Sequence, residues 1–220
     1  MRGQVREAEV VIQKTMLSFP AVPGWTAAWG AIIWDLGQHD NARACLARSM
    51  ARGVLSIRSE PAGLANCSAL AELCCKVGDA AAAKAIYDVL SPFAEYHGLL
   101  TMGSATYGPL HRQLGALAEC QDDAPLAELH YRAALAAAKR MRSPVYLSGT
   151  SYRFAHMLLR SGDARQRPRA AALLGNALRL AERCELLSIA EVARRVAARH
   201  GLALEALAAG GGDVLGGLPS

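Results

Sequence analysis

One short pattern recurs along this chain and constrains its fold more than any other feature. A Gly or Asp ends an apolar segment, an alanine follows after a few residues, and a second packing residue lies four positions beyond that alanine. The turn positions are Gly37, Gly78, Asp122 and Gly162, which are 41, 44 and 40 residues apart. Four copies at similar spacing predict a repeated unit of two helices, and an insertion of a few residues, Ala164–Pro168, delays the second helix of the fourth copy. A plain helical bundle is the alternative, and it would not need a recurring turn.

The residue types in this pattern have a physical reason. Gly or Asp can adopt the left-handed backbone that ends a helix and reverses the chain. Small residues let two helices approach closely, and they recur before the turn as Gly30, Ala71, Gly115 and Ala155, and after it as Ala42, Ala83 and Ala127. Each hairpin leaves an apolar edge that a neighbouring hairpin can cover. We therefore expect an all-α fold, an α-solenoid of antiparallel helix hairpins.

Glycine, proline and aspartate also mark the expected ends of the elements. The predicted helices are Gly3–Phe19, Trp25–Leu36, Asp40–Ala51, Ala62–Val77, Ala80–Phe93, Ala105–Cys120, Ala124–Met141, Pro144–Arg160, Arg167–Cys184 and Leu187–His200. Asp40 is a candidate helix cap, and Gly53–Pro61 and Tyr96–Ser104 are predicted connectors. No run of alternating β-branched residues predicts a strand. Residues 1–207 are expected to form the repeat domain, and the glycine-rich residues 208–220 a flexible tail.

Charge is distributed unevenly along the chain. The segment Lys139–Arg199 holds thirteen Lys/Arg and four Asp/Glu, a net charge of +9. Such a segment could face nucleic acid or an acidic protein, although solvated helix faces explain most charge runs. The helix from Leu187 is followed by a small, apolar segment rather than by a DNA recognition helix. We therefore do not expect nucleic-acid binding.

The sequence contains no cluster of residues that predicts catalysis. It lacks a G-x-x-x-x-G-K-[ST] phosphate loop and the paired metal-binding aspartates of a nucleotide cyclase. His111 and His130 would need Cys120 or Glu128 to complete a metal site, and helix-surface or groove-lining histidines are the simpler interpretation. The Gly149–Phe154 segment has no G-x-S-x-G frame. We expect no enzymatic activity, no cofactor and no metal in this chain.

Cysteine usage and hydropathy suggest a cellular location. The six cysteines include no C-x-x-C and no zinc-finger spacing, which predicts buried free thiols in a reducing cytosol. Charged residues interrupt the first ten positions, and no apolar run approaches the roughly 20 residues that span a bilayer. The expectation is a cytoplasmic protein without a membrane partner.

The outward positions of each first helix form the candidate binding surface. Small packing residues set the register, and the positions between them on a 3.6-residue period should face a concave surface. These candidates are Trp34, Asp35, Ser68, Glu72, Lys76, Arg112, Glu119, Tyr152, His156 and Arg160. Their mixture of charge and aromatic rings suits recognition of a protein or peptide, whereas simple solvation of the helix face is the alternative.

The recurring signature resembles the tetratricopeptide repeat, with a looser period than the usual 34 residues or so. It resembles more closely the longer repeats of LuxR/MalT-type bacterial signalling proteins, which carry an ATPase module with a cyclase or DNA-binding domain. The resemblance covers residues 10 to 198, and "LAELCCKVGDAAAAKAIYDVLSPFAEYHG" and Tyr107-Gly108-Pro109 are among the segments that carry it. It implies a right-handed solenoid of tetratricopeptide-like repeats.

Two functions from different classes follow from this resemblance. The first is a non-catalytic interaction or regulatory module that contacts a protein or peptide, including other domains of the same parent protein. The second is the carboxyl-terminal part of a multidomain adenylate/guanylate cyclase or ATP-dependent LuxR-type regulator, whose activity lies outside this chain. Either function is compatible with an oligomer.

Overall fold

The computed structural model describes residues 23–100 and 106–203, and it is mostly helical. The predicted helix Gly3–Phe19 and the predicted tail 208–220 lie outside the described residues. The helices are α1 (Pro23–Asp35), α2 (His39–Ala51), α3 (Val54–Arg58), α4 (Gly63–Val77), α5 (Ala80–Leu90), α6 (Leu110–Cys120), α7 (Ala124–Arg140), α8 (Pro144–Arg160), α9 (Arg167–Arg183) and α10 (Leu187–Arg199). Short 3-10 turns follow α5 at Ser91–Phe93 and precede α9 at Ala164–Gln166. The expected all-α class is therefore confirmed in its coarse form.

The chain forms two units, one ending at Ala127 and the other beginning at Glu128, so that the boundary falls within α7. We call them unit 1 and unit 2.

All four predicted turn residues have the left-handed backbone that the pattern requires. The φ angles are +85° at Gly37, +80° at Gly78, +58° at Asp122 and +71° at Gly162. The amide of Gln38, which follows Gly37, donates to the Ile33 carbonyl at 2.9 Å. The amide of Asp123, which follows Asp122, donates in the same way to the Ala118 carbonyl at 3.0 Å. This pattern satisfies carbonyls that the helix end would otherwise leave without a donor. Asp79 caps α5 by accepting a hydrogen bond from the amide of Ala82, whereas Asp40 lies in the first turn of α2 rather than at its cap.

Close helix packing in unit 1 depends on small residues. A Cβ added at Gly30 would lie 2.6 Å from Leu73 Cδ2 and 2.9 Å from Cys45 Cβ, so α1, α4 and α2 meet at this point. Ala71 and Ala83 are fully buried in the same core. Contacts at these distances leave no room for a larger side chain. The predicted register of small residues therefore matches the packing in unit 1.

Two connectors contain structure that the sequence did not predict. Residues Val54–Arg58 form the short helix α3 inside the predicted Gly53–Pro61 connector. β1 (His97–Leu99) and β2 (Thr106–Pro109) pair as an antiparallel ribbon, with His97 opposite Pro109 and Leu99 opposite Thr106. The expectation of no strand, and of a helix beginning at Ala105, was wrong. The helix begins only at Leu110, because Gly108 has a φ of +82° and a residue before proline avoids the helical region.

Unit 2 packs α9 against both α8 and α10. Phe154 of α8 is almost fully buried and stacks on Tyr131 with ring centroids 5.6 Å apart. The Arg169 guanidinium covers the Phe154 ring at 4.6 Å, and its Nη1 lies 2.9 Å from Glu128 Oε1. Ser148 donates a buried hydrogen bond to the Ala177 carbonyl, which ties α8 to α9. Aromatic stacking, a cation over a ring and an ion pair thus reinforce the apolar core of this unit.

Candidate functional site

The outward positions predicted from the register reach solvent, with one exception. Asp35 and Arg160 are exposed, and the half-buried members are Trp34, Glu72, Lys76, Arg112, Glu119, Tyr152 and His156. The candidates from Trp34 to Glu119 belong to unit 1, and Tyr152, His156 and Arg160 belong to unit 2. The candidates therefore fall into two sets, one on each unit, which we call the unit 1 patch and the unit 2 patch.

Ser68 is the exception, because it is fully buried. Its hydroxyl donates to the Leu64 carbonyl at 2.8 Å. A Cβ added at Gly98 of β1 would lie 2.8 Å from Ser68 Oγ, so the ribbon covers this part of α4. The prediction that Ser68 faces a concave surface was wrong, because the ribbon that buries it was not predicted.

The unit 1 patch begins at the end of α1. The Trp34 ring lies 4.3 Å from the His39 ring and carries the Arg43 guanidinium at 5.5 Å. Lys76 Nζ of α4 lies 2.7 Å from Asp35 Oδ1 of α1. Asp35 is exposed and Lys76 is half-buried, so this ion pair joins two first helices but adds only modest stability. The end of α1 therefore presents one aromatic ring with charged groups around it.

The same patch continues to the start of α6 through Tyr107. Arg112 Nη2 donates to the Tyr107 carbonyl at 3.2 Å. Burial raises the pKa of the Tyr107 phenol, the negative charge of Glu72 raises it further, and the positive charge of Arg112 opposes this increase. Charges of both signs thus lie around one phenol, an arrangement that suits polar recognition more than proton transfer.

Unit 2 presents a different surface. Tyr152, His156 and Arg160 lie at spacings of four along α8, as predicted. The His156 ring meets the His200 ring edge to face, with centroids 6.2 Å apart. Burial lowers the pKa of His156, and the positive charges of Arg160, His200, Arg199 and Arg153 lower it further. Cationic groups thus dominate the surroundings of this histidine.

Sequence reasoning missed several residues of both patches. In unit 1 these are His39, Arg43 and Tyr107, and in unit 2 they are Arg153, Arg199 and His200. His39 and Arg43 belong to a second helix and Tyr107 belongs to the ribbon. The outward positions predicted from the sequence all lie on first helices, so these three residues were not among them. Arg153 lies three residues before His156 on α8, and this helical spacing could have revealed it. No signal in the sequence places His200 beside His156.

The remaining polar clusters suit structural roles. His111 is nearly buried, with its Nε2 3.2 Å from Glu95 Oε1, and His130 is also buried, so neither is the surface or groove-lining residue that was expected. All six cysteines are free thiols, with Cys45, Cys67 and Cys74 buried and the others half-buried. Burial raises the pKa of Cys67 to about 12, which disfavours the reactive thiolate.

Neither a metal centre nor a membrane span is found in the described ranges. Among residues 23–100 and 106–203, no three His, Cys, Asp or Glu side chains are grouped so that they could hold a metal ion. Within those ranges, no helix combines the length and the apolar character needed to cross a bilayer.

No protein-family model matches this chain, and neither does any curated protein or any solved structure.

Proposed function

We propose that this chain is a non-catalytic interaction module, in which helix hairpins stack within each unit as in a right-handed α-solenoid of tetratricopeptide-like repeats. The exposed sides of the first helices contact a protein or peptide partner. The chain itself performs no chemistry in this proposal, and it needs no cofactor.

The single observation that supports this function most is the division of α8 into a buried side and a side that reaches solvent. On α8, Phe154 and Ala155 are buried, whereas Tyr152 and Arg160 reach solvent. The side of α8 that reaches solvent carries a tyrosine and an arginine, two of the residue types that bind partners most strongly. Ordinary solvated helices would not need aromatic residues at these positions.

A signalling role is proposed from the resemblance alone. Longer helical repeats with this signature occur in bacterial ATPases, cyclases and LuxR-type regulators. In this proposal the partner is another domain of such a protein, and the module is cytoplasmic. The second candidate is that the chain is the sensory end of a multidomain cyclase or regulator. A phosphate loop encoded upstream in the same reading frame would favour that candidate.

The proposed function can be tested by comparing three baits, namely the chain, a double variant and a control variant. The chain and a variant with Asp35→Ala and Tyr152→Ala are immobilised, and the captured proteins are identified and then titrated in purified form. A hot-spot aromatic side chain contributes about 2 kcal/mol or more, so the variant should bind its partner at least tenfold more weakly. Lys84→Ala is the control, because Lys84 is exposed on the second helix α5. Equal binding by all three proteins would contradict the proposal.

A further inference from the structure

Two thiols of unit 1 lie together where helices α4 and α6 end. Cys74 belongs to the last turn of α4, and Cys120 is the last residue of α6. The two helices pack on each other, and a side-chain hydrogen bond joins the two thiol groups. Both cysteines are free thiols. Sulfur atoms in hydrogen-bond contact need only a small side-chain movement to reach the bonding distance of about 2.05 Å.

The two thiols differ in access and in acidity. Cys74 is fully buried, whereas Cys120 is half-buried. The hydrogen bond with Cys74 lowers the pKa of Cys120, although burial and nearby carboxylates oppose this decrease. The same hydrogen bond, together with burial, raises the pKa of Cys74. Cys120 is therefore the thiol that ionises first and that a small solute reaches first, and the thiolate is the reactive form of a cysteine.

The start of α5 holds the buried thiol in position. Cys74 Sγ donates to the Asp79 carbonyl at 3.3 Å, and Asp79 is the residue that caps α5. The Cys120 side chain packs against the apolar core that contains Cys74. A backbone acceptor and core packing thus fix the two cysteines on neighbouring helices, so their contact is part of the fold and not a chance meeting of mobile side chains.

Two other cysteines of α4 are placed differently. Cys67 is fully buried, and its Sγ faces the Val54 carbonyl at 4.0 Å. Cys75 directly follows Cys74, and consecutive residues of an α-helix point about 100° apart around its axis. These two thiols lie close to Cys74 in the sequence, so they serve as internal controls for any reaction that is specific to Cys74.

We propose that Cys74 and Cys120 form a reversible disulfide when hydrogen peroxide oxidises unit 1, and that Cys120 reacts first. The Cys120 thiolate attacks one peroxide oxygen, so that an S–O bond forms, the O–O bond breaks and the departing hydroxide is protonated to water. The Cys74 sulfur then attacks the Cys120 sulfur. The S–S bond forms, the S–O bond breaks, and the Cys74 proton passes to the departing hydroxide, which leaves as a second water. The two thiols thereby lose two electrons, and one peroxide is reduced to two waters.

This disulfide joins the two helices that carry most of the unit 1 patch. Lys76 follows Cys74 by two residues, and Glu119 directly precedes Cys120. Disulfides of reducing compartments are usually transient and serve catalysis or redox sensing, and a partly accessible thiolate beside a second thiol is the usual arrangement of a redox sensor. The inference goes beyond the proposed interaction function and does not depend on it, because the reaction needs only the two thiols and the oxidant.

The direct test is mass spectrometry of the full chain after treatment with hydrogen peroxide. The remaining thiols are blocked with N-ethylmaleimide in denaturant, and the chain is cut with trypsin without reduction. The expected product links residues 59–76, which contain Cys74, to residues 113–132, which contain Cys120. In that product Cys67 and Cys75 should carry the blocking group, and dithiothreitol should separate the two peptides. A link through Cys67 or Cys75, or oxidation of Cys120 to the sulfinic acid without any link, would overturn the proposal.

Matched variants identify the reacting pair. Cys120→Ser should abolish the link between the two peptides, whereas Cys75→Ser should form it with a yield within about twofold of the unsubstituted chain, since the two cysteines have a similar exposure but only Cys120 is hydrogen-bonded to Cys74 in the proposed pair. Circular dichroism shows whether the variants are folded, and Cys120→Ala takes the place of Cys120→Ser if the serine variant is not. A non-reducing gel should show the linked chain as a monomer. Equal loss of the link in both variants, or a link found only in dimers, would refute the assigned pair.

Discussion

Units 1 and 2 share one rule of helix packing but differ in their surfaces. Residues 1–127 contain ten Lys/Arg and twelve Asp/Glu, whereas residues 128–220 contain fourteen and seven. The candidate patch of unit 1 pairs opposite charges, such as Lys76 with Asp35. In unit 2, the neighbouring charges that shift the pKa of His156 are all positive. In both units the residue after a turn, Ala83 or Ala170, is fully buried.

This difference shows that the interior and the surface of these helices are specified by separate residues. Small side chains and left-handed turns set the packing, and they leave the outward positions free to vary in charge. The two patches therefore differ in charge although the helices beneath them pack by the same rule.

The largest loss of stability is expected from Phe154→Ala in unit 2. The side chain is 1% exposed, stacks on Tyr131 and lies beneath Arg169. Its removal should lower the free energy of unfolding by about 3–5 kcal/mol. Tyr152→Ala is the matched variant on the other side of α8 and should cost much less. Urea titration measures both, and equal losses would mean that the two sides of α8 are not distinct.

Enlarging the buried alanine after the turn should have the same effect in both units. Ala83→Leu and Ala170→Leu should each cost about 1–3 kcal/mol, because neither site has room for three more carbons. Ala85→Leu and Ala172→Leu are the controls, since both alanines are exposed on the same helices. If only one of the two buried sites were sensitive in urea titrations, the shared packing rule would fail.

Substitution of a turn residue should change the stability of the chain by a smaller amount. Gly78→Ala should destabilise the chain by about 1 kcal/mol, because its φ of +80° is strained for any residue with a Cβ. Nothing lies within 4 Å of a Cβ at this position, so the cost comes from the backbone alone. In unit 2, Glu185 has a φ of +54°, and Glu185→Gly should be neutral or slightly stabilising. Thermal melts giving the opposite signs would contradict the assigned turn geometry.

The smallest effect is a pH dependence that belongs to unit 2. The folded protein lowers the pKa of His156 through burial and the neighbouring positive charges. Below the ordinary histidine pKa of about 6.5, the unfolded chain therefore binds more protons, and the free energy of unfolding falls as the pH falls. His156→Gln should remove this contribution, whereas Tyr152→Phe should retain it. Urea titrations between pH 8 and 5 measure the slope, and an unchanged slope in His156→Gln would contradict the assignment.

The helices were predictable because punctuation residues mark their ends. The predicted and observed bounds of Pro144–Arg160 agree at both ends, and the start of α9 at Arg167 was also predicted. Proline, glycine and aspartate act locally, so a single sequence is enough to place them.

What could not be predicted depends on distant contacts. The ribbon formed by β1 and β2 has no alternating pattern, and it buries Ser68 by laying Gly98 against it. The meeting of His156 and His200 requires α10 to return to α8, which no local spacing encodes. Sequence reasoning therefore identified most outward positions on first helices but not the residues that complete each patch.

The most direct test of the shared helix–turn–helix pattern is amide hydrogen exchange along the full chain. Four windows of fast exchange should recur around residues 36–41, 77–81, 120–125 and 160–166, with slow exchange inside the flanking helices, because the first amides of each second helix lack helical acceptors. Three of these windows lie in unit 1 and the fourth lies in unit 2. Slow exchange continuing through any of the four windows, or fast exchange throughout α4 or α8, would contradict the shared pattern.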